Sequence, residues 1–426
     1  MTNDQTVNDR RLRILMIAPT SFFADYGCHV RILEEVRALT GRGHRVVVCT
    51  YHNGNDISDV IIRRSIDVPW RKRVIVGSSR HKLYLDAALS LTTLRTAYRF
   101  KPDIIHAHLH EGALIGAAVA KMFGRPIIFD YQGSLTEEML DHGFVRRGGA
   151  LIPLLRRLER VIDSLPRMIV TSSENARQRL LQTRPPKQIH TLLDAVDTER
   201  FSPDALTLGE KRELRRQLGI PDGSDVIVYL GLLAPYQGSD LLLHAARTIA
   251  EAKPNAFFLL MGFPGVEQYQ QLAQQLGLDD RVSFPGRIPY ADAHRYLGLG
   301  DVAVAPKMSL TEGNGKIYNY MSMGLPVVAF DAEPNREILG DLGIYARHGD
   351  AEDFASQVIA LLDRPDRGKT LGNDLRSHTV AELSWETRVI ELLDIYGKVL
   401  PQSAPLLPRR RAKSQRSSAQ RSSTED

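Results

Sequence analysis

The sequence predicts an α/β protein of two doubly wound, Rossmann-like domains that face each other across a cleft. Short apolar runs alternate with helical patterns along nearly the whole chain, which is typical of parallel sheets with crossover helices. The length of 426 residues is enough for two domains of ordinary size. Polar residues gather where several apolar runs end, and open α/β sheets bind ligands at the carboxyl ends of their strands.

The first domain is predicted over residues 13–200, after a polar extension at 1–12. An apolar run at 13–19, a polar loop and a helical pattern from Val30 to Leu39 form its first strand–loop–helix unit. The alternation then continues along this half of the chain. Further strands are predicted at 46–49, 103–108, 126–130 and 168–171, with a helix at 112–123.

The second domain is predicted over residues 201–382, because turn residues replace the apolar alternation at 192–203. A pattern that begins at Ser384 predicts a last amphipathic helix at 383–400. The tail at 401–426 is rich in Pro, Ser, Gln and Arg, and we expect it to be disordered. Strands of the second domain are predicted at 226–231, 256–261, 282–284, 302–306 and 327–330, with helices at 238–252, 266–276, 291–299 and 351–362.

The composition, with 43% hydrophobic and 25% charged residues, is typical of a globular protein. The two cysteines, Cys28 and Cys49, have no common metal-ligand spacing, so neither a disulfide framework nor a zinc site is predicted. The first residues lack the apolar core of a signal peptide, and no apolar run approaches the roughly 20 residues of a membrane-spanning helix. We therefore expect a cytoplasmic protein that does not cross a membrane.

The net charge of +5 is unevenly distributed. Residues 1–200 carry about +9, residues 201–400 about −8 and the tail about +4. Basic residues would suit anionic lipid headgroups, at about 1 kcal/mol for each charge near such a surface, and solvated arginines on helix faces are the alternative. No nucleic-acid-binding motif accompanies them, so nucleic acid is not an expected partner. Three basic clusters stand out, at 71–73, 146–147 and 156–160.

Residues 306–326 contain the clearest sequence pattern of a ligand-binding loop. Glu312–Lys316 combines two glycines with polar side chains, and glycine lets the backbone approach a bound group closely. A helical pattern follows from Ile317, and Gly324-Leu325-Pro326 ends it before the next strand. Free N–H groups and a lysine at a helix start attract an anion such as a phosphate or diphosphate. The alternative is an ordinary strand–helix connection with a solvated Lys316.

Several short motifs occur in a characteristic order between residues 12 and 400. They are Tyr26–Arg31, Asp103–His108, Asp194–Asp197 with Arg200, Phe201 and Pro203, Tyr229–Gly231, Gly238–Leu242, Asn319–Met321, Gly324–Val328 and Leu383–Glu386. In this order the chain resembles the retaining family-4 glycosyltransferases of the GT-B fold, the glycosyl transferases group 1. The resemblance implies a metal-independent hexosyltransferase without a cofactor, whose first domain faces the acceptor. It also implies that the second domain binds a nucleoside-diphosphate sugar and that the last helix crosses back to the first domain.

The resemblance implies roles for individual residues as well. Gly27 would bring the backbone close to the donor phosphates. In the family's pair of glutamates, the first binds sugar hydroxyls and the second binds the ribose. Glu312 is the nearest match to the first, and Asn319 stands where the second is expected. The spacing is one residue short, and an asparagine forms hydrogen bonds but carries no charge.

The loop from Gly231 to Gly238 departs from the family pattern. The arginine and the lysine that usually neutralise the diphosphate are replaced by Leu232 and Gln237. A departing diphosphate needs counter-charge in a site without metal, so we expect Lys316, with Lys307 second, to supply it. A surface lysine is the alternative for Lys307.

A further departure follows the strand at 126–130. Many relatives have a histidine near the reacting sugar where this chain has Gln132, and a glutamine cannot act as a base. In this family the donor phosphate is thought to take the acceptor proton, so the change is compatible with activity. His108, His110 and Glu138 are candidate bases, and a structural role is the alternative for His108.

These observations predict a retaining glycosyltransferase that moves a sugar from a nucleoside-diphosphate donor to an acceptor hydroxyl. The acceptor would be lipid-linked, as in the synthesis of cell-envelope glycans, or a soluble sugar or metabolite. A nucleotide-sugar epimerase of the same architecture and a non-catalytic sugar-nucleotide-binding protein are the alternatives. A peripheral position at the inner face of an anionic membrane is left open. The predicted catalytic residues are Lys316, Glu312, His108 and Gln132, and the predicted donor-binding residues are Gly27, Gly231, Gln237, Lys307, Asn314, Gly315 and Asn319, with no metal site.

Overall fold

The computed structural model describes residues 10–24, 27–67, 82–141, 145, 149, 151–310 and 313–401. Within these ranges two parallel sheets of seven and six strands are flanked by helices, which confirms the predicted class of two doubly wound α/β domains. Some of the predicted features lie outside the described residues: Glu312, the basic clusters at 71–73 and 146–147, and the tail beyond residue 401.

The first domain is built on the seven-stranded sheet. Its strands are β1 (Arg13–Ala18), β2 (Arg45–Thr50), β3 (Ile62–Arg64), β4 (Ile104–His108), β5 (Ile127–Tyr131), β6 (Met168–Thr171) and β7 (Ile189–Thr191). Its helices are α1 (Gly27–Gly41), α2 (Lys82–Phe100), α3 (Leu109–Phe123), α4 (Leu135–Asp141), α5 (Ile152–Ser164) and α6 (Glu174–Leu181). The strand order is β3-β2-β1-β4-β5-β6-β7, so the direction of winding reverses between β1 and β4. Ligands of open α/β sheets bind at such a switch point.

The second domain repeats this plan on the six-stranded sheet. Its strands are β8 (Asp225–Leu232), β9 (Ala256–Phe263), β10 (Val282–Gly286), β11 (Val302–Ala305), β12 (Val327–Phe330) and β13 (Ile344–Ala346). Its helices are α7 (Leu208–Gln217), α8 (Ser239–Ala252), α9 (Val266–Gln275), α10 (Ala293–Leu297), α11 (Lys316–Ser322), α12 (Glu333–Leu339), α13 (Ala351–Leu362) and α14 (Pro365–Glu382), and α15 (Trp385–Val399) follows them. The order β10-β9-β8-β11-β12-β13 places its switch point between β8 and β11.

The central strands are buried along their whole length because helices cover both faces of each sheet. All residues of β4, β5, β11 and β12 are buried. Helices α6, α7, α13 and α15 start at side chains that accept the free N–H groups of the first turn. Thr207 and Glu210 form a reciprocal capping box at α7, and the Ser384 hydroxyl accepts from the N–H of Thr387 at α15.

Helix α15 lies against the first domain, on α1, although it follows the second domain in the chain. Its buried Tyr396 hydroxyl is 2.8 Å from Nδ1 of His106 in β4. At the other end of the helix, Arg42 donates to the carbonyl oxygen of Glu386 at 3.1 Å. The core of the first domain therefore includes residues from the end of the described chain.

The segment between the two sheets is tied to the second domain by Arg376 of α14. Its guanidinium donates to the carbonyl oxygens of Thr198 at 3.0 Å, Phe201 at 2.7 Å and Ser322 at 2.5 Å. Ser322 is the last residue of α11, so the linker is held against the helix that begins at Lys316.

None of the described helices is long and apolar enough to pass through a lipid bilayer.

Candidate active site

A cavity of about 380 Å³ lies between the carboxyl ends of the two sheets. The segments after β1, β4 and β5 form one wall, and the ends of β8 and β9 with the loop after β11 form the other. The cavity thus brings together every described residue of the predicted site except His108. The predicted residues that line it are Gly27, Gln132, Gly231, Gln237, Lys307, Asn314, Gly315, Lys316 and Asn319.

Lys316 is the first residue of α11, and its half-buried side chain crosses to the end of β8. Its Nζ donates to Oε1 of Gln237 at 3.1 Å and lies 4.3 Å from the centre of the Tyr229 ring. The enclosure of the ammonium group, and secondly the charge of Lys307, hold the pKa of Lys316 well below its usual value. Among the described residues no carboxylate forms an ion pair with Lys316.

Lys307 follows β11 and is only 7% exposed, so it is not a surface lysine. Its Nζ donates to the carbonyl oxygen of Gly313 at 2.9 Å. This bond fixes the glycine-containing loop that leads into α11. The two lysines therefore lie on the same wall of the cavity, and the charge of Lys307 adds to the effect of burial in lowering the pKa of Lys316.

Asn314 holds the glycine-containing loop before α11 by a second set of hydrogen bonds. The buried amide donates from Nδ2 to Oδ1 of Asn335 at 3.0 Å, and Asn335 donates in turn to the carbonyl oxygen of Phe330 at 2.8 Å. The loop is thereby joined to the end of β12. Asn319 lies one helical turn after Lys316 and is 9% exposed, at the cavity wall where the resemblance places the ribose contact.

The position of Lys316 favours a glycine at residue 231. A Cβ atom at Gly231 would lie 2.6 Å from Nζ of Lys316, closer than real Cβ contacts, so the ammonium group would have to shift, and 3.1 Å from the Tyr229 hydroxyl oxygen, which is a tight contact. The glycine therefore makes room for the ammonium group. Gln237, which occupies the expected position of a lysine, accepts the hydrogen bond that orients this group.

Gly27 begins α1 on the opposite wall, and none of the described residues crowds it. A Cβ atom there would meet no heavy atom within 4 Å. The space in front of this residue opens into the cavity. Packing within the protein therefore gives no reason for a glycine at this position.

The end of β5 separates His108 from the cavity. Gln132 donates from Nε2 to Oδ2 of Asp130 at 2.7 Å, and Nδ1 of His108 lies 2.9 Å from the same oxygen. His108 is fully buried, and it does not line the cavity. The two other candidate bases, His110 and Glu138, do line it. His108 is thus connected to the cavity wall indirectly, through Asp130, which contacts both Gln132 and Arg31.

A buried ionic cluster around Arg31 was not predicted as part of the site. Arg31 lines the cavity, and its Nε lies 3.1 Å from Asp130 and 3.2 Å from Glu35. Its Nη1 forms an ion pair with Asp194, which also lines the cavity. Arg31 and Asp194 belong to two of the motifs quoted above, but they are 163 residues apart, so only the fold reveals their contact.

The charges of this cluster are set by burial and by Arg31. Burial raises the pKa of Glu35 well above its usual value, since Arg31 offsets only part of the lost hydration. Burial acts in the same direction on Asp130, but Arg31 and His108 outweigh it and hold the pKa of Asp130 well below its usual range. Asp130 is therefore the ionised partner, and it holds Gln132 in place through a charge-assisted hydrogen bond.

Two groups of described residues have the spacing of metal ligands. The first joins Glu35, His106, His108 and Asp130, and the second joins His110, Glu159 and Asp163. Arg31 already supplies a positive charge to both carboxylates of the first group. In the second group, Nε2 of His110 lies 3.5 Å from Asp163 and 3.7 Å from Glu159, so the imidazole itself contacts both acids.

Two family models match the chain, one on each domain. The model described as Glycosyltransferase Family 4 matches residues 27–200, and the model described as Glycosyl transferases group 1 matches residues 210–378. The two matched ranges meet near residue 200, where the domain boundary is predicted.

The chain is also similar in sequence to individual glycosyltransferases. The chain is 26% identical to a D-inositol 3-phosphate glycosyltransferase from Thermomonospora curvata over 417 residues, which cover 90% of this chain and 94% of that protein. It is 30% identical to a GDP-mannose-dependent monoacylated alpha-(1-6)-phosphatidylinositol monomannoside mannosyltransferase from Corynebacterium glutamicum, over 46% of this chain and 52% of that protein.

Solved structures show the same fold. The crystal structure of HepE from Anabaena in complex with UDP and glucose superposes with a TM-score of 0.74 at 16% identity, over 91% of this chain and 100% of that one. The predicted family is thus confirmed by both domain models, by the named relatives and by the architecture. This chain belongs to the family-4 glycosyltransferases of the GT-B fold, and it is a glycosyltransferase.

Proposed function

We propose that this enzyme moves a sugar from a nucleoside diphosphate to an acceptor hydroxyl with retention of anomeric configuration. In this proposal the second domain binds the donor, and Lys316 and Lys307 provide the counter-charge for the diphosphate. The wall formed by the first domain, from Gln132 to Leu135, faces the acceptor.

The position of Lys316 is the observation that carries the proposal. An ammonium group is enclosed at the cavity wall, beside a second buried lysine, without an ion-pairing carboxylate among the described residues. Enclosing a cation in this way is unfavourable unless a negative charge compensates it. A diphosphate in the cavity would supply that charge. Gly231 supports the assignment because it leaves the space that the ammonium group occupies.

The proposed transfer reaction develops negative charge on the departing diphosphate. The bond between the anomeric carbon and the diphosphate oxygen breaks while the acceptor oxygen bonds to the same face of the sugar. The acceptor proton passes to an oxygen of the departing diphosphate, so no side chain is needed as a base at Gln132. Negative charge grows on the diphosphate as its bond breaks, and cations at Lys316 and Lys307 stabilise the transition state more than the bound donor.

The donor contacts are divided between the two walls. Gly27 would let the backbone of the first domain approach the phosphates, and Asn319 would bind the ribose by hydrogen bonds. Uridine nucleotides are the first donors to test, because HepE was crystallised with UDP and with UDP-glucose.

A thermal-shift screen of nucleotide sugars tests donor binding directly. A donor present at 100 times its dissociation constant should raise the free energy of unfolding by about 2.7 kcal/mol. The stabilising donor is then incubated with candidate acceptors, and release of the nucleoside diphosphate is measured. Acceptor-dependent release with an unchanged anomeric configuration is the expected result, and an inverted product contradicts retention.

The same assays distinguish the alternative functions. An epimerase would convert its nucleotide sugar without an acceptor. A non-catalytic protein would bind the donor and release no diphosphate with any acceptor. Neither alternative finds support among the named relatives, which are glycosyltransferases.

The acceptor is either lipid-linked or a soluble sugar or metabolite, and the distribution of charge favours an encounter with an anionic surface. The net charge of residues 1–200, which include the acceptor-side domain, is about +9. Exposed arginines remain at positions 156, 157 and 160 within the described part. A lipid-linked acceptor would therefore be presented to the wall that the first domain forms.

A further inference from the structure

Helix α5 presents an apolar face to solvent, although it belongs to a well-packed domain. Five large apolar side chains follow one another at intervals of three and four residues, from the residue before the helix to the residue after it. This spacing places them on a single face. Each is more than two-fifths exposed: Leu151 60%, Leu154 63%, Leu158 45%, Val161 51% and Leu165 42%.

Basic side chains occur on the same helix as this leucine face. Arg157 is exposed beside the leucines, Arg160 is exposed further round the same helix, and Arg156 is exposed on the side away from the leucines. Arg156 lies 3.4 Å from Glu137, which neutralises part of its charge. Within the described part of the chain, Arg157 and Arg160 form no ion pair. A stripe of leucines with uncompensated arginines on the same helix is complementary to a surface that is apolar inside and negatively charged outside, which is the interface of an anionic bilayer.

The opposite face of α5 is held to the cavity wall. The buried carboxylate of Glu159 accepts from the Thr136 hydroxyl at 2.6 Å and from its backbone N–H at 3.3 Å. It also accepts from the Tyr131 hydroxyl at 3.3 Å. Tyr131 and Thr136 enclose residues 132–135, which line the cavity. The helix is therefore rigidly connected to the acceptor side of the active site.

We propose that α5 docks this enzyme on an anionic membrane surface, with its leucine face inserted among the lipids and its arginines at the headgroups. The helix has 13 residues, so it lies in the plane of the interface. Docking brings the wall at 132–135 to the membrane, where a lipid-linked acceptor resides. This last step depends on the proposed transfer reaction, whereas the docking itself does not.

The test is co-sedimentation of the full chain with vesicles of phosphatidylcholine, alone or mixed with phosphatidylglycerol, over a salt series. The wild-type chain is expected to bind the mixed vesicles, and to bind them less as salt screens the arginines. Leu154→Ser/Leu158→Ser should weaken the binding at least about tenfold, because each exposed leucine loses its transfer into the lipid. Arg157→Gln/Arg160→Gln should weaken it mainly at low salt.

Matched variants control for general effects of the substitutions. Leu83 and Leu208 are both 76% exposed, on α2 and α7, so Leu83→Ser/Leu208→Ser removes the same side chains elsewhere. Arg212→Gln/Arg216→Gln does the same for exposed arginines on α7. Both control variants should bind like the wild type. The thermal shift of each variant with the donor, measured without vesicles, reports folding and donor binding independently of docking.

Several outcomes would overturn the proposal. One is an absence of binding to the mixed vesicles at low salt. Another is unchanged binding of Leu154→Ser/Leu158→Ser with a loss on deletion of residues 402–426, which would assign the binding to the tail. A third is a concentration-dependent dimer that Leu154→Ser/Leu158→Ser dissociates while vesicles are not bound, which would assign the face to a second copy of the chain. In each case, if the donor still raises the melting temperature, the proposed donor binding is not affected by the loss of the docking proposal.

Discussion

The Nζ of Lys316 lies 3.1 Å from Oε1 of Gln237, the residue that occupies the position of a lysine in many relatives. A neutral side chain on one loop thus contacts a cation supplied by another element, α11. The ammonium group beside this loop is supplied by a residue 79 positions further along the sequence. In the proposed mechanism the location of the charge is maintained although the residue that carries it has changed.

Replacing Lys316 by alanine is expected to abolish detectable transfer, with a decrease of the order of 100- to 1,000-fold. The fold should survive because the side chain forms no ion pair with the described residues. Release of nucleoside diphosphate and the melting temperature are measured together. Lys121→Ala, at an exposed lysine of α3, is the control and should retain activity. A fully active Lys316→Ala variant would exclude this lysine as the counter-charge.

Diphosphate binding is expected to take up protons. The pKa of Lys316 is lowered in the free protein, first by enclosure and then by Lys307, and a bound anion should raise it again. Affinity should therefore fall as the pH rises from about 7 to 9, where the phosphates are already ionised. Titration calorimetry in buffers of different ionisation enthalpy measures the uptake. An equal uptake by Lys316→Met would contradict the assignment.

Gly27→Ala is expected to weaken donor binding about tenfold without changing the melting temperature. Apart from its chain neighbours, the added Cβ atom meets no atom of the described residues within 4 Å, so we expect it to displace a bound ligand. Gly41→Ala at the other end of α1 is a matched control, since a Cβ atom there is equally free of contacts. Donor dissociation constants are compared by calorimetry. Unchanged affinity would mean that the phosphates do not approach Gly27.

Gly238→Ala is expected to lower the free energy of unfolding by about 2 kcal/mol or more. Gly238 has a φ of 75°, and an added Cβ atom would lie 1.9 Å from the carbonyl oxygen of Pro306. Since both strain and backbone contact oppose the methyl group, the loop beside Gln237 must shift. Denaturant unfolding measures the effect, and Gly209→Ala, an exposed position in α7 without close contacts, should be neutral or stabilising.

Tyr396→Phe is expected to destabilise the protein by about 1–2 kcal/mol. It removes the hydroxyl that lies 2.8 Å from His106 and leaves a buried imidazole nitrogen without this partner. Tyr98→Phe, at an exposed tyrosine of α2, should have no effect. A Tyr396→Phe variant as stable as the wild type would show that the bond to His106 contributes nothing.

The fold class could be predicted because it depends on patterns that are local in the sequence. Buried runs such as those of β4 and β5 alternate with helices, and this alternation alone indicates parallel sheets. Lys316 was predicted from such a local pattern, since its loop and helix are contiguous, whereas Asn319 was predicted from the resemblance to the family. The domain limits and the catalytic roles stay predictions.

The remainder of the site depends on contacts between distant residues. Arg31 and Asp194 meet only because α1 and the linker after β7 are brought together by the sheet. The same applies to His108, whose strand-end position favoured a place in the cavity. The side chain is instead fully buried with its Nδ1 2.9 Å from Asp130, because successive residues of a strand face opposite sides and the sequence does not show which side opens into the cavity.

The position of α15 has a consequence for biosynthesis. Residues 13–200 leave the ribosome long before Tyr396, yet His106 in the middle of their sheet takes its partner from that tyrosine. The first domain to be synthesised is therefore completed only when the last helix has emerged. A fragment that ends at residue 200 would expose the surface of α1 that α15 covers, and chimaeras between relatives should exchange α15 together with the first half of the chain.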